Sequence, residues 1–475
     1  MNDHGDSAIP DVTLGGMLIS AKRASIYLFI FTAFYASNGL AAASKRPDIV
    51  MFIADDMSVK DSSAYGNTQI PGPNMSSLAK EGLTFDLAFA TSPTCAPSRA
   101  ALLTGCYNLR NGVMFNQQKA KPEIKKWPAY SQALGYEVVA IGKVSHYGHV
   151  TTYGFDYAGY YNYHQDICVE KAVEWLANRK SDKPLCLLVG TNFPHVPWPK
   201  KGMLSPANVP LPARNADTPE TRDARTRYVA AVSRADSDLG MVREAARKYL
   251  PADTLFVFSA DQGAQWPFAK WNLYEAGLHV PLIFVWPGHI PAGRRTKAMV
   301  SWIDILPTIL EAAGADPKSA APGIDGRSFM SVLEGKAETF RDRVFGTHSG
   351  DSNINFYPSR SVRLGSWKYI RNLDSSLEFH THIDLRPGDI GYFPSWLAHA
   401  KTDPTIAEIV REYYHRPPEE LYDLSNDPDE LKNLAAAPDH IADLARLRAA
   451  LDQWMKANHD QGMATDRAMK PAASK

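Results

Sequence analysis

Apolar and polar positions along the chain follow two periods. Asp48-Ile49-Val50-Met51-Phe52-Ile53-Ala54 is a short apolar run that ends on Asp55 and Asp56. Such a run predicts a strand buried on both faces. Runs of the same kind occupy residues 137–141, 185–191, 254–260 and 282–286. Between them, helical stretches fall at 74–81, 169–178, 221–249 and 303–313, with Asn74 as the expected cap of the first. Strand and helix in alternation predict an α/β fold with a large, mainly parallel sheet sandwiched by helices. Ligands of such sheets bind beyond the carboxyl ends of strands, and Asp55, Asp56 and Asp261 all fall there.

The pattern changes after Phe345. Residues 360–363 and 367–371 read as paired strands around a Leu364-Gly365-Ser366 turn, and a helix follows over 441–458. This predicts a larger N-terminal domain over 45–345 and a smaller C-terminal α+β domain over 346–475 with a short antiparallel sheet. The first 44 residues read as an export signal. Lys22 and Arg23 precede an apolar run over 24–35, and Ala41-Ala42-Ala43 offers a cleavage site before Ser44. The alternative is an uncleaved N-terminal anchor. Export places the protein in the periplasm or outside the cell.

Composition narrows the partners. Lys plus Arg and Asp plus Glu are 51 each, so the formal net charge is zero. No whole-molecule field draws the chain to nucleic acid or an anionic membrane, and a substrate anion would need a local cationic pocket. The four cysteines are few for an exported chain, and their spacing is unlike a zinc site. Cys168–Cys186 is the expected disulfide. Asp55-Asp56 and Asp261-Gln262, at two strand ends, supply four oxygen donors that suit Ca²⁺ or Mg²⁺.

The most informative stretch is Cys95-Ala96-Pro97-Ser98-Arg99-Ala100-Ala101-Leu102-Leu103-Thr104-Gly105. Read alone, it is a buried cysteine at a helix start with Ser98 as cap. With the carboxylate pairs on either side of it, the stretch resembles the sulfatase family, a branch of the alkaline-phosphatase-like fold. That resemblance runs from Arg46 to about Asp460 and makes residues 45–345 the catalytic domain. It implies that Cys95 is oxidised to formylglycine (3-oxoalanine) by a maturing enzyme, and that Asp55, Asp56, Asp261 and Gln262 hold the metal. It also implies that Arg99, Lys143, His146, His195 and Lys270 are catalytic. In that scheme a hydrated aldehyde attacks sulfur, the cations stabilise the sulfuryl oxygens, and His195 or Lys270 protonates the leaving atom. His146 then takes the proton that lets sulfate depart. His348 and Arg360 are the candidate substrate contacts.

Three further regions resemble heparan N-sulfatase, the N-sulfoglucosamine sulfohydrolases. They are 261–277, 356–362, and 411–416 continuing through 420–434. The implied substrate is therefore a sulfated saccharide, first of all N-sulfoglucosamine of heparin or heparan fragments. Two departures lie beside the centre. The wider Lys143-to-His146 spacing resembles iduronate-2-sulfatase, and Gln262 stands where the family carries Asn. Alternatives are an O-sulfatase on another glycan, a phosphodiester or phosphonate hydrolase with the same nucleophile, and a silent glycan-binding protein.

Overall fold

The computed structural model describes residues 46–471 except 163–166, 352–353, 387 and 389. The export signal read over 1–44 lies outside the described residues. Among these, ten strands precede residue 340: β1 Ile49–Ala54, β2 Leu83–Phe85, β3 Ala88–Phe89, β4 Glu137–Gly142, β5 Tyr157–Gly159, β6 Leu185–Gly190, β7 Leu255–Ala260, β8 Leu282–Val285, β9 Arg294–Thr296 and β10 Val300–Ser301. Eight of them form one sheet in the order β5-β4-β6-β1-β7-β8-β2-β9. From β5 to β7 all pairings are parallel, and β8 is antiparallel to both neighbours.

The apolar runs form strands because both faces of this sheet are covered. In β1, Val50, Phe52 and Ala54 point into one core, while Ile49, Met51 and Ile53 point into another. The Pro73–Glu81, Cys168–Asn178 and Pro219–Tyr249 helices pack into the first core through Leu78, Ala172 and Tyr228. The Cys95–Thr104 and Ile305–Ala312 helices cover the other face through Ala100, Leu102 and Leu306. Each fully buried Val, Leu, Ile or Phe contributes about 1.5–3 kcal/mol.

Four strands make the second, antiparallel sheet: β11 Arg343–Asp351, β12 Asn355–Leu364, β13 Trp367–Asn372 and β14 Glu419–Asp423. Leu364 pairs with Trp367, and Gly365 takes φ +58° in the tight turn between them. The Ile441–Ala457 helix lays Leu444, Leu447, Leu451 and Trp454 over Val362, Tyr369 and Leu421 of this sheet.

Two expectations are corrected. Cys168 and Cys186 do not form a disulfide. Cys186 on β6 points into one core beside Trp127, and Cys168 starts a helix in the other core, so the sheet separates them. Asn74 does not cap its helix, which begins at Pro73. Asp236 of the long helix caps it instead, accepting the Met75 N–H at 2.8 Å and the Asn74 N–H at 3.1 Å.

Candidate active site

Four adjacent parallel strands, β4, β6, β1 and β7, deliver their carboxyl ends to one place. Lys143 follows β4, His195 follows β6 by five residues, Asp55 and Asp56 follow β1, and Asp261 and Gln262 follow β7. Two glycines permit the approach. Gly142 sits at φ +80°, and a Cβ there would lie 2.1 Å from the Gly190 carbonyl oxygen. A Cβ on Gly263 would lie 1.7 Å from the Ala276 carbonyl oxygen, so only glycine lets the β7 end pass under the 270–277 turn. Asp56 itself takes φ +67°, a costly conformation for a non-glycine residue. Its N–H donates to Asp261 Oδ1 at 3.0 Å, which holds that conformation in place.

Cys95 opens the Cys95–Thr104 helix, with its Sγ 3.9 Å from both Asp55 Oδ1 and Asp56 Oδ1, 3.8 Å from Lys143 Nζ and 3.2 Å from Gln262 Nε2. Ser98 is buried inside the first turn and donates to the Asp261 carbonyl at 2.5 Å, so it ties the helix to β7 rather than capping it. One turn on, Arg99 donates to Asp261 Oδ2 at 2.8 Å, to Asp55 Oδ1 at 3.1 Å and to the Lys143 carbonyl. Lys143 pairs with Asp55, and Lys270 pairs with Asp56 at 2.6 Å. All six charged side chains are buried. Three carboxylates and three cations balance formally, as burial of charge demands.

Burial sets the protonation of the group. It pushes the Cys95 thiol up to about 12, with Lys143 and Lys270 opposing. It pushes Asp261 up to about 7 against the opposing Arg99. Asp55 stays well below the usual carboxylate range because the charges of Lys143 and Arg99 outweigh its burial. His195 and His146 are held neutral, first by burial and then by Lys143. The His195 Nδ1 lies 2.6 Å from the Val196 carbonyl oxygen, and its Nε2 lies 3.7 Å from Asp56 Oδ2. Both ring nitrogens of His146 are buried without a hydrogen-bond partner.

A hard divalent cation fits these donors. Oxygens of Asp55, Asp56 and Asp261 and the Cys95 sulfur come within 4.8 Å of one another. Gln262 Oε1 is a buried acceptor with no partner, while its Nε2 donates to Asp56. Rotation of that amide would supply the fourth oxygen.

This group lies next to a cavity of about 180 Å³, onto which Cys95 and Lys270 open. Cys95, His146, His195 and Lys270 line it, as the sequence leads one to expect. Asn116, Gln117, Tyr147, Val196, Pro197, Gln265, Trp271, Asp351, His382 and Arg386 complete the wall; Gln265 and Trp271 fall inside the 261–277 stretch, and no motif pointed to Asn116, Gln117, Asp351, His382 or Arg386. Arg360 is not part of it. Fully buried, it pairs with Asp460 at 2.6 Å and Asp466 at 2.5 Å, which clamps the C-terminal segment to β12 and leaves no donor for a substrate. His348 does not line this cavity either; it is buried, with its Nδ1 3.3 Å from Thr94 Oγ1.

The sulfatase family model matches residues 47–315, more than half the chain. A second model, the C-terminal part of N-sulphoglucosamine sulphohydrolase, matches residues 263–389. An ulvan-active sulfatase of Formosa agariphila is 32% identical, covering 88% of this chain and 82% of that protein. The human N-sulphoglucosamine sulphohydrolase is 29% identical, covering 89% and 92%. Among solved structures, a protein in complex with its substrate D-glucosamine-2-N,6-O-disulfate superposes with a TM-score of 0.67 at 20% identity, covering 88% of this chain and 99% of that one. The phosphonate monoester hydrolase of Agrobacterium radiobacter superposes equally well, with a TM-score of 0.67 at 20% identity and coverages of 88% and 97%. These two likenesses show the fold.

Proposed function

The chain belongs to the sulfatase family, hydrolases of sulfate esters and sulfamates, and from that premise we propose that it removes the N-sulfate from N-sulfoglucosamine at the ends of heparin or heparan sulfate fragments. The observation that carries this reading is the match of residues 263–389 to the N-sulphoglucosamine sulphohydrolase model. That stretch supplies Gln265, Lys270, Trp271, Asp351, His382 and Arg386 to the cavity wall. A second reading, an O-sulfatase on another glycan, is favoured by the 32% identity to the ulvan-active relative. The leader over residues 1–44 supports export to the periplasm or the medium, where such fragments are met.

In this reading a maturing enzyme oxidises Cys95 to formylglycine. When formed, that group supplies a nucleophilic oxygen and a second hydroxyl through which sulfate is later expelled. The buried neutral thiol is itself a poor nucleophile, since the thiolate is the reactive form. Asp55, Asp56, Asp261 and Gln262 hold a divalent cation, Ca²⁺ or Mg²⁺, which adds positive charge where sulfate binds. Arg99, Lys143 and Lys270 are fixed in place before substrate arrives, so they stabilise charge on the sulfuryl oxygens without reorganising. His195 Nδ1–H donates to the Val196 carbonyl, which leaves Nε2 as an acceptor. His195, once protonated at Nε2, or Lys270 donates the proton to the leaving nitrogen or oxygen. His146, neutral and unpartnered, accepts the last proton.

The test has two parts. Mass spectrometry of the Cys95 peptide from the native host is expected to show CH₂–SH replaced by CH=O. Sulfate release is then compared on N-sulfoglucosamine, on 2-O- and 6-O-sulfated sugars, and on phosphate diesters. Release from O-sulfates alone would overturn the first reading in favour of the second. An unmodified thiol in active protein would overturn the formylglycine assignment.

A further inference from the structure

Of the fourteen described residues that line the cavity, thirteen are cationic, neutral or aromatic, and Asp351 is the one carboxylate among them. A carboxylate on the wall of a pocket built for an anion repels it unless the ligand brings a donor to that position. Asp351 is also fixed. It ends β11, is more than nine-tenths buried, and accepts the Asn116 side-chain N–H at 2.9 Å and the Trp271 indole N–H at 3.2 Å. The His382 ring stacks on Trp271 and brings Nδ1 to 3.7 Å. All three contacts fall on Oδ2, which leaves Oδ1 for a ligand.

Asn116 links this carboxylate to the reaction centre. Its Oδ1 accepts the Ala96 N–H at 2.9 Å, one residue beyond Cys95, while its Nδ2 donates to Asp351. One amide, bonded to Oδ2, therefore spaces the Asp351 carboxylate from the sulfur-bearing position. The cavity volume of about 180 Å³ lies below the ~300–1,000 Å³ of sites for drug-sized ligands. That volume suits one sugar ring.

We propose that Asp351 is the specificity-determining residue of the pocket. It accepts hydrogen bonds from hydroxyls of a single terminal sugar while the sulfate sits over Cys95, and it excludes sugars that carry a carboxylate at that position. The proposal rests on the sulfated-sugar reading above. It selects a hexosamine or neutral sugar over a uronic acid by charge, whichever atom bears the sulfate.

The test compares wild type with Asp351→Asn and Asp351→Glu on three substrates: the preferred sulfated hexosamine, a 2-O-sulfated uronic acid, and an aryl sulfate without hydroxyls. Loss of a charged hydrogen bond predicts a fall in kcat/KM on the hexosamine on the order of 10- to 100-fold. That fall should exceed the fall on the aryl sulfate at least about tenfold. Asp351→Asn should also narrow the preference for hexosamine over uronic acid, and Asp351→Glu, which keeps the charge, should not. Calorimetric titration of sulfated hexosamine into Cys95→Ala and Cys95→Ala/Asp351→Asn gives the same answer without turnover, with affinity about tenfold weaker in the double variant. Equal losses on sugar and aryl sulfate, or unchanged affinity in that titration, would overturn the proposal. Turnover of O-sulfated but not N-sulfated hexosamine would remove the N-sulfatase reading and leave Asp351 to be judged on the same ratio. Wild-type turnover of aryl sulfate but of no sulfated sugar would overturn both.

Discussion

A thiol held between two carboxylates has little access to its anion at neutral pH, and burial pushes Cys95 up to about 12. Cys95→Ala is therefore expected to fold with an unchanged far-ultraviolet spectrum and to lose sulfate release by about 10³-fold or more. Asp261 adds a pH signature. Burial raises it from an ordinary 3.8 to about 7 in the cation-free protein. Between those values the folded chain keeps a proton that the unfolded chain has lost, so stability falls as pH rises through the window. Cation binding needs the ionised carboxylate and offsets that loss. The melting temperature in Ca²⁺ minus that in chelator should thus widen from about pH 5 to about pH 8. A gap that stays flat or shrinks across calorimetric scans would remove the cation assignment.

At the scale of elements, the site depends on how strand ends pass one another. Gly142→Ala places a Cβ against the Gly190 carbonyl and shifts Lys143 with it. A displacement near 1 Å is expected to lower turnover on the order of 100-fold, with the cysteine conversion in the mass spectrum unchanged. Arg360 serves another joint. It binds two carboxylates of the C-terminal segment in full burial. Arg360→Ala is expected to destabilise by about 3–5 kcal/mol in urea titration, because both carboxylates stay buried without their partner. A raised KM with unchanged stability would instead restore Arg360 as a substrate contact.

At the scale of the molecule, the described residues from Pro47 onward form one compact unit. A chain cut after residue 436 loses the helix over Val362, Tyr369 and Leu421, and both carboxylates on Arg360. It is expected to give no cooperative melt by circular dichroism, although the whole eight-stranded sheet lies upstream. The sequence alone determined what local order can encode. Unbroken apolar runs require strands covered on both faces, and oxygen-bearing side chains just past such runs mark the ligand end of the sheet. Asp55, Asp56, Cys95, Arg99, Lys143, Asp261 and Lys270 were legible because each follows a strand or sits in a short motif. What only the tertiary structure decided depends on contacts between distant segments. Asn116, Trp271, Asp351 and His382 come from different loops and strand ends, and no local pattern records their meeting. Nothing near Arg360 in sequence shows that it is neutralised, since its partners lie 100 and 106 residues away. Cys168 and Cys186 lie close in sequence, but the sheet stands between them, since side chains on opposite faces cannot meet whatever their spacing.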